Sequence, residues 1–218
     1  MVYLHGRRCT AKQKRERIVN DIDKALTVDV RNGLPDELLE LLRKYPRDQW
    51  ANDARLHGLA EGWLQRHNLF RELSVLTGGM TTDLREGRTS PTTFLPLFQR
   101  RMGLLLGELD RHHRVEDDYY FPTFAAAAPK LQKGFDILDN DHGVIHGAIY
   151  SLGTASRELI AALSGEVSAR DRNALRVAER LAGEIEGFDR TLLRHLEDEE
   201  DLIIPLILER TRDDPNFR

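Results

Sequence analysis

The chain has 218 residues, of which 40% are hydrophobic and 31% are charged, and its formal net charge is -4. These values are typical of one folded, helix-rich domain with an extension, and the charge balance gives no indication of nucleic-acid binding. Cys9 is the only cysteine, which excludes an internal disulfide and cysteine-rich zinc or iron–sulfur sites.

The chain shows no targeting or membrane signal. Its first residues, "MVYLHGRRCTAKQKRER", lack the apolar core of a signal peptide, and no apolar run approaches the length of a membrane span. We therefore expect a cytoplasmic protein that makes no contact with a membrane.

Two short helices are predicted in the first fifty residues. Residues 10–26 carry apolar side chains at steps of four, and "PDELLELLRKYP" at 35–46 begins and ends near prolines. The basic stretch "RRCTAKQKRER" is typical of a solvated helix face. We expect residues 1–50 to form an extension, which is the candidate surface for a protein partner or for self-association.

Four longer segments with helical periodicity follow. We predict helices over about 48–77, 92–121, 135–163 and 169–205. Gly58 and Gly62 are candidate breaks in the first helix, which stops at Gly78-Gly79, and Pro122 disturbs the second. No segment shows sustained strand alternation. The pattern predicts an all-α fold, an up-and-down antiparallel four-helix bundle with two short N-terminal helices added. The bundle is expected to cover residues 51–212, with residues 213–218 as a C-terminal tail.

One charged motif occurs twice, late in the second and fourth long helices. The segment "HHRVEDDYYFP" at 112–122 matches "HLEDEEDLIIP" at 195–205 without gaps, which pairs His112 with His195 and Glu116 with Glu199. In each copy the His and the Glu lie four residues apart, so both side chains project from one helix face. A single pair of this kind is usually a surface contact, but the repetition favours a metal site.

The other two long helices carry histidines as well. His142 and His146 lie four residues apart early in the third helix, and His67 lies in the first. In an up-and-down bundle the end of the second helix, the start of the third and the end of the fourth meet at the same end. His67 joins them if the first helix effectively begins near Glu61, so all four helices can direct ligands at one point in the core.

His113 and Asp117 form a rival pair with the same four-residue spacing as His112 and Glu116. Adjacent helix positions differ by about 100° in direction, so His112 and His113 are not expected to face the same site. Because Leu196 occupies the second copy's equivalent of His113 and cannot bind a metal, we expect His112 to be the ligand and His113 not.

With these residues in place, the chain resembles the hemerythrin-like family, also called HHE cation-binding domains. The family pattern H…HxxxE…HxxxH…HxxxE on four successive helices covers roughly residues 51–212, and all of its positions are filled here. The resemblance implies a ligand set of His67, His112, Glu116, His142, His146, His195 and Glu199. Oxygen-carrying members place the last carboxylate one residue later, which would select Glu200 instead of Glu199.

The resemblance also implies two iron ions in a non-haem centre, bridged by an oxo or hydroxo group and by carboxylates. Five imidazoles, two bridging carboxylates and that bridge leave one position open, on the iron with only two histidines. Dioxygen, peroxide or nitric oxide would bind there. Asp117, Asp141 and Glu200 stand beside ligands and could orient them by accepting their second N–H, although exposed acids more commonly face water.

Three uses of such a site remain open. The chain could bind dioxygen or a related small oxidant or diatomic, or it could be a redox enzyme that turns over peroxide or nitric oxide. A third hypothesis is a sensor of iron or oxygen that acts through a partner surface on the N-terminal extension.

Overall fold

The computed structural model describes residues 24–164 and 172–213, and within them every regular element is helical. The α-helices of these residues are Glu40–Lys44 (α1), Arg47–Trp50 (α2), Leu59–Arg85 (α3), Pro91–Val115 (α4), Phe121–Ala127 (α5), Gln132–Leu163 (α6) and Arg172–Asp213 (α7). A π-helical turn, Glu116–Tyr120, joins α4 to α5. Short 3-10 turns lie at Lys24–Leu26, Asp36–Leu38, Ala54–Leu56 and Pro129–Leu131. The all-α fold predicted from the sequence is confirmed.

The four long helices form an up-and-down bundle. Both α3 and α6 contact α4 and α7, so the four helices close into a ring. Residues 86–90 connect α3 to α4, and residues 128–131 connect α5 to α6. Such short connections make sequential helices antiparallel neighbours, which brings the end of α4, the start of α6 and the late part of α7 to one end of the bundle.

The helix predicted over 48–77 is interrupted at Gly58, one of its two candidate breaks, and its predicted end is wrong. Gly58, with φ 92°, separates the short α2 from α3, and α3 continues through Gly78-Gly79 to Arg85. A helical glycine costs only about 1 kcal/mol relative to alanine, which packing against another helix can outweigh. A Cβ at position 78 would lie 3.4 Å from Ile185 of α7, so α3 is packed there. The true end precedes Gly87, whose φ of 72° suits a residue just past a helix.

The structure of residues 24–50 differs from the short helices predicted there. The helix predicted at 10–26 lies outside the described residues except for the turn Lys24–Leu26. The helix predicted at 35–46 is divided at Leu39 into the turn Asp36–Leu38 and α1. Leu34, Leu38 and Trp50 are buried, so this region packs onto the bundle.

The two late prolines affect their helices differently from expectation. Pro122 lies in the first turn of α5, where a missing backbone N–H is tolerated, and the turn before it is π-helical. Pro205 lies inside α7, which continues to Asp213 and so extends beyond the predicted end.

Two clusters of buried apolar side chains fill the bundle on either side of a polar layer. The distal cluster occupies the end near the α3–α4 connection and includes Phe70, Leu109, Ile145 and Leu192. The proximal cluster lies toward the N-terminal segment and includes Leu34, Trp50, Trp63, Phe121, Leu138 and Leu202. Along α3, α6 and α7 respectively, His67, His142 and His195 fall between members of the two clusters, and on α4 His112 and His113 follow the last member of the distal cluster. No helix in the described part of the chain is both long and apolar enough to cross a membrane.

Candidate metal centre

The inward face of α4 determines which of its polar residues enter the core. Its buried side chains are Phe94, Phe98, Met102, Leu105, Leu109 and His113, followed by Glu116 at the start of the π-helical turn. The steps of three and four residues are those of one helix face. His113 is fully buried on this stripe, whereas His112 lies beside it with a side chain 12% exposed.

The π-helical turn adjusts the helix after these residues. Glu116 and Phe121 are both buried and are separated by five residues, which is the spacing of a π-helical turn. The turn keeps the buried side of α5 on the bundle axis. It also brings Asp117 against α6, where its Oδ1 lies 2.7 Å from Nδ1 of His142.

Four side chains from three helices and the π-helical turn converge in a first group, which comprises His67, His112, Glu116 and Glu199. Each offers a ligand atom, and these atoms all lie within 4.8 Å of one another. Nε2 of His67 lies 3.2 Å from Nε2 of His112. Two imidazoles and two carboxylates facing one point form a donor set that suits a transition-metal ion.

Three imidazoles form a second group, which comprises His113, His142 and His195. Their ligand atoms also lie within 4.8 Å of one another, and all three side chains are buried. The rings of His113 and His142 stack with centroids 4.0 Å apart and planes inclined by 10°. The expectation that His113 faces away from the site is therefore wrong, because His113 continues the buried stripe of α4.

Glu116 and Glu199 lie between the two groups. Oε1 of Glu116 is 2.9 Å from Nε2 of His112, and its Oε2 is 3.5 Å from Nε2 of His142. Oε1 of Glu199 is 3.5 Å from Nε2 of His67, and its Oε2 is 3.1 Å from Nε2 of His195. Each carboxylate thus directs one oxygen toward each group, as a carboxylate shared by two ions would.

Three further carboxylates lie behind the histidines. Glu200 lies 2.9 Å from Nδ1 of His67, Asp141 lies 3.3 Å from Nδ1 of His195, and Asp117 lies 2.7 Å from Nδ1 of His142. A carboxylate in this position fixes the tautomer and orientation of a ligating imidazole. The structure places Glu199 among the converging atoms and Glu200 on the outer side of His67.

The N-terminal segment, residues 24–58, supplies two arginines to these outer carboxylates. Nη1 of Arg31 donates to Asp141 at 2.7 Å, and its Nε donates to Asp198 at 2.7 Å. Nη1 of Arg47 donates to Glu200 at 2.8 Å. Neither arginine was predicted as part of the site, because ion pairs across more than a hundred residues leave no local periodic signal in the sequence.

Trp63 was also not predicted as part of the site. Its indole Nε1 donates to Oε1 of Glu199 at 2.6 Å, and its ring lies 5.0 Å from that of Tyr120. Its position one helical turn before His67 was the available signal, since both side chains then share a face of α3.

His146 stands apart from both groups. Its side chain is 28% exposed, and its Nδ1 lies 3.6 Å from Asp110. Its Nε2 is buried without a hydrogen-bond partner, and its ring lies 5.6 Å from that of His113. His146 was a predicted ligand. Among the histidines that were not predicted as ligands, His57 is exposed near Glu61, and His5 lies outside the described residues.

The electrostatics of the site reflect burial of many polar groups. Burial, together with the neighbouring imidazoles of His142 and His195, holds the pKa of His113 well below its usual value. Burial and the nearby carboxylate of Glu199 raise the pKa of Glu116 well above its usual value. Neutral imidazoles are the form that binds metals, and a cation beside Glu116 would favour its ionised form.

Outward from the site, the carboxylates are ionised by their partners. Burial opposes ionisation of Glu200, but hydrogen bonds from His67 and Arg71 outweigh it and lower the pKa of Glu200 to about 2. Burial likewise opposes ionisation of Asp141, and hydrogen bonds from Arg31 and His195 lower its pKa. The outer layer therefore carries fixed negative charge that supports the histidines.

The residues of the site fit a cation. Among the described residues, ten buried side-chain atoms lack a hydrogen-bond partner, and seven of them belong to the two groups: both nitrogens of His113, both oxygens of Glu116, Nε2 of His142 and of His195, and Oε2 of Glu199. The other three belong to His146, Ser156 and Arg194. Leaving one such atom unsatisfied costs about 1–3 kcal/mol. Metal coordination accounts for this concentration of unpaired donors.

A pocket of about 320 Å³ reaches the first group from the surface. His112, Trp63 and Tyr120 line it together with the exposed Gly58 and Gly62. The remaining lining residues are Leu59, Arg66, Arg111 and Val115. His112 is thus the imidazole of the two groups that the pocket touches.

Comparison with known proteins agrees with this site. Residues 59–207 match the Hemerythrin family, described as the Hemerythrin HHE cation binding domain. Comparison with curated proteins and with solved structures finds no match to either. The matched span begins with α3 and covers α3, α4, α6 and most of α7, with every residue of the two groups inside it. The chain therefore belongs to the hemerythrin HHE cation-binding family.

Proposed function

We propose that the chain holds two iron ions that share Glu116 and Glu199, and that a small oxidant or diatomic binds beside His67 and His112. The observation that carries the proposal is the placement of the two carboxylates, each with one oxygen toward each group. Imidazole and carboxylate donors together suit iron. Bound iron would supply electrons to dioxygen, peroxide or nitric oxide.

The side on which the small ligand binds follows from the number of imidazoles. The first group offers two imidazoles and the second offers three, while both share the same carboxylates. A first-group ion therefore has fewer protein ligands and retains a position for an external molecule. The pocket reaches the same side, at His112.

The size of the pocket favours a second candidate, a redox enzyme acting on peroxide or nitric oxide. A water molecule occupies about 30 Å³ of liquid, so a pocket of about 320 Å³ exceeds what a diatomic ligand needs. Reversible storage of dioxygen requires a closed, dry site, whereas turnover requires entry and exit. Trp63 and Tyr120 provide the aromatic wall past which a substrate would move.

The N-terminal segment supports the third hypothesis, a sensor. Arg31 and Arg47 bind carboxylates that contact His195 and His67. A change at the metal centre could thereby alter how the segment packs, and residues 1–50 would present the partner surface.

Rapid mixing of the reduced, iron-loaded protein with dioxygen, peroxide and nitric oxide tests the proposal. We expect an optical change with at least one of them, and repeated consumption of peroxide or nitric oxide would identify an enzyme. Gly62→Ile should slow the reaction because it places a side chain in the pocket, and Gly79→Ile, at another open glycine of α3, should not. An iron-loaded protein that responds to none of the three ligands would overturn the proposal.

A further inference from the structure

We propose that His113, and not His146, supplies the third imidazole of the second metal position. The inference rests on the proposed function, since it assigns a ligand within the same two-ion centre. It departs from the HxxxH reading of α6, in which His142 and His146 both bind.

His113 is more completely buried and less satisfied than His146. The His113 side chain is fully buried and neither of its ring nitrogens has a hydrogen-bond partner, whereas the His146 side chain is 28% exposed and only its Nε2 is buried without a partner. An unpaired buried imidazole costs stability unless something binds it. The group that faces these nitrogens is the pair of ligand histidines His142 and His195.

His113 also belongs to the cluster of ligand atoms of the second group. The ligand atoms of His113, His142 and His195 all lie within 4.8 Å of one another. His146 falls outside that cluster, and its Nδ1 side is directed toward Asp110 at the half-exposed edge of the bundle. His113 is therefore the better placed of the two.

The third argument comes from the internal repeat. His113 corresponds to Leu196, and Leu196 is fully buried in the distal cluster. The equivalent position on α7 is thus a core position, which shows that the residue after each ligand histidine faces inward. A histidine at such a position brings a ligating group into the core, where the second copy has a methyl-bearing side chain.

The fourth argument is the number of ligands. An octahedral ion that takes His142, His195, one oxygen from each shared carboxylate and one bridging ligand has room for one more donor. His113 and His146 therefore compete for a single place. Binding by His113 would make α4 and the π-helical turn after it the source of three donors, namely His112, His113 and Glu116.

Iron content of three variants decides between the two histidines. His113→Leu copies the residue of the equivalent position and so preserves core packing, while His146→Leu is the matched change and His57→Ala is an exposed control. We expect His113→Leu to lose about half of the bound iron and to alter the near-ultraviolet charge-transfer bands. His146→Leu and His57→Ala should both keep the wild-type iron content and spectrum.

Two results would overturn the inference: full iron content in His113→Leu, or an equal loss in His146→Leu. If His113→Leu does not fold, His113→Ala measured with and without added imidazole replaces it. Restoration of iron and spectrum by imidazole supports ligation, and a fixed deficit contradicts it. Wild-type protein without iron would instead refute the proposed function, so the two failures are distinguishable.

Discussion

Asp141 and Asp198 both bind the guanidinium of Arg31, but only Asp141 also contacts a histidine of the site. Its carboxylate lies 3.3 Å from Nδ1 of His195, whereas the second contact of Asp198 is Arg194 at 2.6 Å. The two aspartates therefore separate support of a metal ligand from support of the N-terminal segment. Removing a carboxylate behind a ligating histidine typically weakens metal affinity about 10–100-fold.

We predict that Asp141→Asn lowers iron affinity by about 10–100-fold, because the amide has no negative charge and keeps one acceptor oxygen, for which Arg31 and His195 then compete. Asp198→Asn disturbs Arg31 without touching a histidine and should change affinity much less. Competition of each variant with a chelator of known affinity measures the difference. Equal affinities in the two variants would show that the contact of Asp141 with His195 does not support the metal.

At the same scale, the direction in which the His113 side chain faces was predicted wrongly. The internal repeat correctly aligned two core-facing motifs. Because Leu196 cannot bind a metal, its counterpart His113 was then expected not to bind one either. A leucine at that position indicates burial, and the two steps of four from Leu105 through Leu109 to His113 indicate the same. The helix face on which a residue lies predicts its burial here, and its ability to bind a metal does not.

Among the elements, the N-terminal segment is the one whose role the sequence did not reveal. Arg31 lies between Asp141 of α6 and Asp198 of α7, with a side chain only 2% exposed. A buried arginine between two carboxylates is costly to disrupt, since removal of the cation leaves both buried carboxylates without their shared partner. The segment is thus held to the bundle at the metal-bearing layer.

We predict that Arg31→Met destabilises the fold by about 3–5 kcal/mol, as expected when one partner of a buried ion pair is removed. Lys44→Met, which breaks the more exposed pair with Glu209, should cost no more than about 1 kcal/mol. Urea unfolding of the iron-loaded proteins measures both values. Similar stability of the two variants would contradict a structural role for Arg31.

Helix boundaries were predictable where apolar periodicity and a breaking signal agreed. The prediction over 135–163 compares with Gln132–Leu163, and its end agrees because the pattern stops at a turn signal. For α3 the glycine pair was read as a stop, yet packing against α7 carries the helix across it. The π-helical turn at Glu116–Tyr120 was not predicted, because an extra residue in a turn resembles ordinary helix in sequence.

At the scale of the whole molecule, the bundle encloses a polar layer between two apolar clusters. Apolar periodicity and short connections were enough to predict the architecture, and topology alone brought the histidines of four helices to one end. The docking of residues 24–58 depends on pairs such as Arg31 with Asp198, which lie far apart in the chain. Such contacts follow from the folded structure and have no short-range signature.

The central claim is that two metal positions share Glu116 and Glu199 within one chain. Elemental analysis of protein purified after iron-replete expression tests it most directly, with protein concentration determined independently. We expect about two iron atoms per chain, because each of the two groups of donors suits one ion. One metal ion per chain, or a single zinc with no iron, would contradict it.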